Sequence, residues 1–299
     1  MKILVTGGAG FIGSNLVHDL VKEDYEIIVV DNLSTGSLDN ISDVMNEIKF
    51  IKTSCSEVSK IKELEGLDGI YHYGVPSTTQ LYRDDKSLVG GAVNDFIEIL
   101  ELAKREDCKV IYASSSSVYN GNIPPFKEGM PVMIKDFYTE ARHLMERVAK
   151  LYNDFYNVRS VGFRFFSVYG PREEAKKNFA NLISQFLWDM KKGKSPLIYG
   201  DGTQTRDFTY VDDINHGFRL GMESGIDDDV FNLGTGKCYS LNELVNILNE
   251  ILDTNINPVY KENPIQNYVQ ETLADASKAR KRFGFEPKVH LREGIGKII

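Results

Sequence analysis

Thr6-Gly7-Gly8-Ala9-Gly10-Phe11-Ile12-Gly13 lies between a short apolar run, Lys2 to Thr6, and a helical stretch, Ile12 to Lys22. That setting constrains the fold more than any other feature. After a strand and at the start of a helix, Gly7 and Gly8 allow a tight turn and Gly10 lets the backbone approach a pyrophosphate. Gly13 lets helix and strand pack closely. The helix start, with Phe11 and Ile12, then directs unpaired N–H groups and the positive end of the dipole at phosphate. A dinucleotide is the expected ligand.

Further short apolar runs follow at Ile27–Val30, Gly69–Tyr73 and Val110–Ala113. Each suits a parallel strand covered on both faces. Helical stretches separate them, among them Val89–Arg105, with Val93, Phe96, Ile97, Leu100 and Ala103 on one stripe. Strand–helix–strand repetition predicts an α/β fold with a doubly wound parallel (Rossmann) sheet. Tyr138–Tyr156 reads as an amphipathic helix with Leu144, Val148, Leu151 and Phe155 as its apolar stripe. Val158–Val168 reads as a strand and Tyr169-Gly170-Pro171-Arg172 as a turn or loop. Helices are expected at Phe179–Lys192 and Leu241–Leu252. The organisation expected is a dinucleotide-binding domain over 1–166 and a smaller lobe over 167–299, with some segments returning to the first domain.

Asp31 follows the second apolar run, where an acid accepts hydrogen bonds from an adenosine ribose diol. A carboxylate there repels a 2′-phosphate, so NAD is favoured over NADP. Asn32, Ser34 and Gly36 belong to the turn after it.

Lys plus Arg number 35 and Asp plus Glu 43, a net charge of −8, which argues against broad capture of nucleic acid or anionic membrane. No apolar run approaches the roughly 20 residues of a membrane span, and Met1 to Val5 lead into the glycine cluster without a signal-peptide pattern. Cys55, Cys108 and Cys238 lie too far apart for a disulfide framework, and the five histidines form no ligand pair. A cytoplasmic protein without a metal is expected.

The chain resembles the extended short-chain dehydrogenase/reductase family, in its nucleotide-sugar epimerase and dehydratase branch. The likeness rests on Thr6-Gly7-x-x-Gly10-x-x-Gly13, Ser114-Ser115-Ser116-Ser117-Val118-Tyr119 and Tyr138-x-x-x-Arg142. It rests also on Arg164 to Pro171 and on the long run from Tyr199 to Asp213. The resemblance implies Tyr138 as general base, Ser115 as proton relay and Arg142 in place of the family's lysine. Tyr138 and Arg142, four apart, share one helix face. A free phenol titrates near pH 10, so a neighbouring cation is needed to stabilise its anion.

The same likeness extends the cofactor set to Ser54 and Cys55, near the adenine, and to Tyr73, Gly74, Val75, Ser87, Tyr138, Arg142 and Phe166. Ser54 stands where the family has an acid. Substrate contacts are implied at Thr78, Ser115, Ser167 and Asn181, with Arg206 as the leading diphosphate ligand through its planar fork.

Dehydration would need an extra acid and base, which family dehydratases carry as Asp-Glu after their Thr. Ser116 and Ser117 fill those places. The resemblance therefore implies an NAD-dependent UDP-hexose 4-epimerase acting on UDP-glucose and UDP-galactose, and a homodimer formed through Val89–Arg105 and Tyr138–Tyr156. Two alternatives stand beside it: an NAD-dependent epimerase or dehydratase of another nucleotide sugar, and a silent sugar-nucleotide binder in which arginine fails to replace lysine.

Overall fold

A computed structural model describes residues 1–264 and 267–299. Strands β1 (Lys2–Thr6), β2 (Glu26–Asp31), β3 (Ile48–Lys52), β4 (Gly69–His72), β5 (Lys109–Ser115) and β6 (Ser160–Phe165) are parallel neighbours in one sheet. Between them run helices α1 (Phe11–Leu20), α2 (Thr79–Asp84), α3 (Leu88–Glu106) and α4 (Phe137–Tyr156). Past β6 come β7 (Val168–Tyr169), α5 (Leu182–Lys191), β8 (Leu197–Tyr199), β9 (Thr205–Arg206), β10 (Thr209–Tyr210) and α6 (Val211–Glu223). Then β11 (Asp228–Leu233), β12 (Tyr239–Ser240), α7 (Leu241–Leu252) and β13 (Val259–Lys261) follow. β11 returns to the large sheet, whose order is β11-β6-β5-β4-β1-β2-β3, all parallel.

The sheet is apolar on both faces because successive strand side chains alternate. Leu4, Ile28, Val30, Ile70 and Val110 pack under α3 and α4, against Phe96, Ile99, Leu100 and Met145. Ile3, Val5, Ile27 and Val29 face the other way, onto Leu16, Val17 and Leu20 of α1 and Ile214 and Phe218 of α6. Each such side chain, fully buried, contributes about 1.5–3 kcal/mol. Truncating one, as in Ile28→Ala, would cost about 2–5 kcal/mol through the cavity it leaves. A separate core of Ile183, Phe186, Leu187, Ile198, Leu244 and Leu248 knits α5 and α7 into the smaller lobe.

Four local expectations are corrected. The strand expected to run to Val168 stops at Phe165, because Ser167 adopts a left-handed φ of 32° and breaks the ladder. Tyr169 is then no loop residue: it closes β7, which pairs with β10. The stripe expected on α4 holds only in part: Val148 packs at the edge of the core, but the helix is rotated away from the rest of the stripe. Its buried face is Ala141, Arg142, Met145, Glu146 and Ala149, while Leu151 and Phe155 are 51% and 71% exposed. The helix turns its polar Arg142 and Glu146 inward because both meet buried partners there, and this outweighs the pull of the aliphatic stripe. In α3, Ile99 and Leu102 join Phe96, Leu100 and Ala103 in the core, whereas Val93 and Ile97 are only half-buried.

Candidate active site

The carboxyl ends of the strands open onto a crevice of about 540 Å³, walled on the far side by segments of the smaller lobe. This is the place where a doubly wound sheet binds ligands.

One half of the crevice is built from backbone. Gly7 has a left-handed φ of 68°, and a Cβ there would meet the Gly74 nitrogen at 2.7 Å. A Cβ on Gly13 would lie 2.3 Å from the Gly7 carbonyl oxygen. Glycine is thus required at both places, by space and at Gly7 also by conformation. Gly10 caps α1 without any side-chain hydrogen bond, so the N–H groups of Phe11, Ile12 and Gly13 open onto the crevice. Asp31 ends β2 with its carboxylate buried, accepting from the Ala9 N–H at 3.0 Å and the Leu33 N–H at 2.7 Å. Burial pushes its carboxyl above the ordinary range, against the opposing pull of these backbone donors. With the Gly10 N–H also pulling on it, the carboxylate still has acceptor capacity left for a diol. Open helix-start amides beside an oxygen-rich acid fit a pyrophosphate joined to a ribose, the requirement of NAD.

The other half is built from side chains of distant segments. Tyr138, in the first turn of α4, lines the crevice with its ring edge-on to Tyr82, centroids 5.7 Å apart. Arg142 is 3% exposed. Its guanidinium lies 5.0 Å from the centre of the Tyr138 ring and donates to the Ala113 carbonyl at 3.1 Å and the Pro76 carbonyl at 2.9 Å. Its Nε is buried without a protein partner. The cation is thus held in the crevice wall, between the ends of β4 and β5, and does not turn to bulk solvent.

The four serines that end and follow β5 separate by partner. Ser114 donates to Glu146 at 2.6 Å, and the Ser117 hydroxyl is buried away from any partner. Ser115 and Ser116 face the crevice, and Ser115 accepts from the Ser117 N–H at 3.2 Å.

Behind them lies a buried network. Arg164 of β6 donates to Glu146 through two nitrogens, at 2.8 and 2.6 Å, and to the Tyr119 hydroxyl at 2.7 Å. Tyr119 in turn donates to Asn232 of β11 at 2.8 Å. Burial would raise the Glu146 carboxyl, but hydrogen bonds from Arg164 hold it down at about 2. On β4, His72 is wholly buried and its pKa is lowered to about 3 by desolvation and then by Arg142. It pairs with Thr6 as a neutral ring.

The crevice brings together Gly7, Gly10, Phe11, Ile12, Gly13, Asp31, Asn32 and Ser34 with Cys55, Tyr73, Gly74 and Val75. Across from these it gathers Ser115, Tyr138, Arg142, Ser167 and Asn181. Six expected residues lie off its lining. Gly36 backs the glycine loop, where a Cβ would meet the Ala9 carbonyl at 2.8 Å. Ser54 precedes the 3-10 turn Cys55–Lys60, Thr78 caps α2 and Ser87 is exposed, bonded to Asp85. Phe166 is buried among Tyr119 and Phe126. Arg206 donates to the carbonyls of Thr205 and Gln270 and lies over the Tyr268 ring. Burial lowers its pKa.

The adjacent Asp207 takes no part in the crevice. It receives the N–H groups of Thr235, Gly236 and Ala274 and the Thr235 hydroxyl, and so ties together three loops of the lobe. Lining residues that sequence reasoning missed include Asp95, Lys176 and Phe179. Only Asp95 left a trace in the sequence, as an acid beside the apolar positions Ala92 and Phe96 on the inner side of α3.

Residues 3–234 match the profile of the NAD dependent epimerase/dehydratase family. A Methanocaldococcus jannaschii protein provisionally named a UDP-glucose 4-epimerase is 32% identical over 99% of this chain and 97% of its own length. UDP-glucuronic acid decarboxylase 1 of Arabidopsis thaliana is also 32% identical, over 100% of this chain and 69% of its own. Among solved structures, UDP-glucose 4-epimerase of Thermotoga maritima with UDP-glucose superposes with a TM-score of 0.92. It is 31% identical and covers 99% of this chain and 97% of that one.

Proposed function

The chain belongs to the NAD-dependent epimerase/dehydratase family, and from that premise we propose that it is a UDP-hexose 4-epimerase interconverting UDP-glucose and UDP-galactose. The observation that carries this reading is the distribution of acids in the crevice. Its lining carboxylates among the described residues are two, Asp31 at the end of β2 and Asp95 on α3. Around Tyr138 stand Ser115, Ser116 and Arg142. That set can move one proton reversibly but offers no carboxylic acid to expel a hydroxyl, as dehydration requires.

In this reading Tyr138 takes the proton from the sugar 4-hydroxyl, and Ser115 bridges the two oxygens as donor and acceptor. Arg142 sets a permanent positive charge beside the phenol as the proton leaves. When bound, NAD supplies the reversible hydride acceptor. The keto sugar would turn over within the crevice, so that the hydride returns to the opposite face of C4 while Tyr138 returns the proton to the oxygen, which restores the 4-hydroxyl with inverted configuration. Asn181 and Ser167 would hold the nucleotide diphosphate side.

The protein is further proposed to work in the cytoplasm as a homodimer. Support comes from the outward apolar residues Leu151, Phe155 and Tyr156 on α4, which packs beside α3. Light scattering that returned a monomer would remove the dimer.

The test is chromatography of nucleotide sugars after incubation with the purified NAD-loaded protein. UDP-galactose is expected to give UDP-glucose. Conversion of UDP-glucuronate to a pentose product, with no change in UDP-galactose, would replace epimerisation by the decarboxylation that the Arabidopsis relative is named for. Loss of water from the sugar would replace it by dehydration.

A further inference from the structure

The crevice holds one acid that the chemistry above does not use. Asp95 lines it from α3. That helix lies along the 3-10 turn Cys55–Lys60, which follows β3. The Ser59 hydroxyl donates to Glu98, and Arg105 donates to the Ser59 carbonyl at 2.7 Å, so helix and turn are tied. Asp95 therefore stands on the β2–β3 side of the crevice, with Thr53 and Cys55 lining the same end beyond Asp31.

Among the described residues Asp95 makes neither a hydrogen bond nor an ion pair, although Glu98, three residues on, is engaged by Ser59. Burial, and then the charge of Glu98, raise its pKa. The carboxylate is partly buried in the crevice wall with its acceptor capacity unused by the protein, so a donor on a bound ligand can take it.

The geometry of the loop orders the ligand. With the pyrophosphate on the start of α1 and the ribose diol on Asp31, the next group outward in an adenine dinucleotide is the base. The base carries an exocyclic amine, a donor, on the edge remote from the ribose. We propose that Asp95 accepts a hydrogen bond from the 6-amino group of the cofactor's adenine and selects adenine over a purine bearing oxygen there. The assignment rests on NAD as the cofactor and is independent of which sugar reacts.

The protein is stripped of nucleotide, and rebinding of NAD and of nicotinamide hypoxanthine dinucleotide is compared by calorimetry. The natural protein is expected to bind NAD at least about tenfold more tightly. Asp95→Ala is expected to shrink that ratio below about threefold. Asp95→Asn keeps the shape of the side chain and can donate to oxygen as well as accept from nitrogen, so it is expected to bring the two ligands to near equality. Equal binding of both dinucleotides by the natural protein would overturn the assignment. So would an unchanged ratio in the variants, read in Asp95→Asn alone if the alanine variant does not fold.

Discussion

The two halves of the crevice are held in different ways. The dinucleotide half is a continuous strand–loop–helix in which three glycines and one acid, Asp31, shape the surface through main-chain geometry. The half proposed to carry the proton relay is gathered from α4, the end of β5 and the loop after β4. Its one buried cation, Arg142, is oriented by carbonyls of Pro76 and Ala113, 66 and 29 residues away in sequence. A grip on phosphate needs N–H groups, which every residue but proline carries, so local sequence suffices for it. A proton relay needs particular side chains at fixed separations, and only tertiary structure supplies those.

Four substitutions can break or sharpen this contrast. Tyr138→Phe should lower turnover by about a thousandfold while the nucleotide released on denaturation stays at one per chain. Loss of nucleotide as well would mean that the halves are not separable.

Glu146→Gln should lower stability in urea by about 3–5 kcal/mol, because it leaves Arg164 buried without its counter-charge. The same pair gives a pH signature. Glu146 titrates at about 2 when folded against 4.5 when unfolded. Its contribution is therefore complete above pH 4.5 and is lost as pH falls toward 2. Urea midpoints followed through that window should decline in the natural protein and lie flatter in the variant.

Asp31→Ala should weaken NAD binding by about ten- to a hundredfold through the loss of a charged acceptor, with little change in turnover at saturating cofactor. The smallest effect is expected for Arg142→Lys. An ammonium keeps the charge but cannot fork between two carbonyls as a guanidinium does, so turnover should change by less than about tenfold. A gain of several orders of magnitude would instead show that arginine silences the natural protein.

Legibility followed the same division. The glycine loop, Asp31 and strands β1, β2, β4 and β5 could be read from spacing, because each depends on residues next to one another, whereas β3 mixes Lys49 and Lys52 with its apolar residues and was not read. The inward face of α4 could not. The last two residues of its apolar stripe, Leu151 and Phe155, face outward, while Arg142 and Glu146 turn inward to partners on other elements. β11 was missed because Asp228-Asp229 gives its start no apolar signature. What makes it a strand is pairing with β6, whose Gly162 lies opposite Val230. Arg206 was assigned by its fork, yet that fork meets the Gln270 carbonyl and the Tyr268 ring, more than sixty residues downstream. Asp95 carried only the trace of an acid on an apolar helix side.

The place of β11 bears on how the protein can be made. A nascent chain that has left the ribosome only as far as β6 displays an open row of backbone donors and acceptors along that strand. The gap stays until residue 233 emerges. A fragment cut at residue 166 would keep that raw margin for good, and its buried Tyr119 would lack Asn232 as acceptor. Such a fragment should stick to its own copies, and expressing the first half alone is a poor route to a soluble dinucleotide-binding unit.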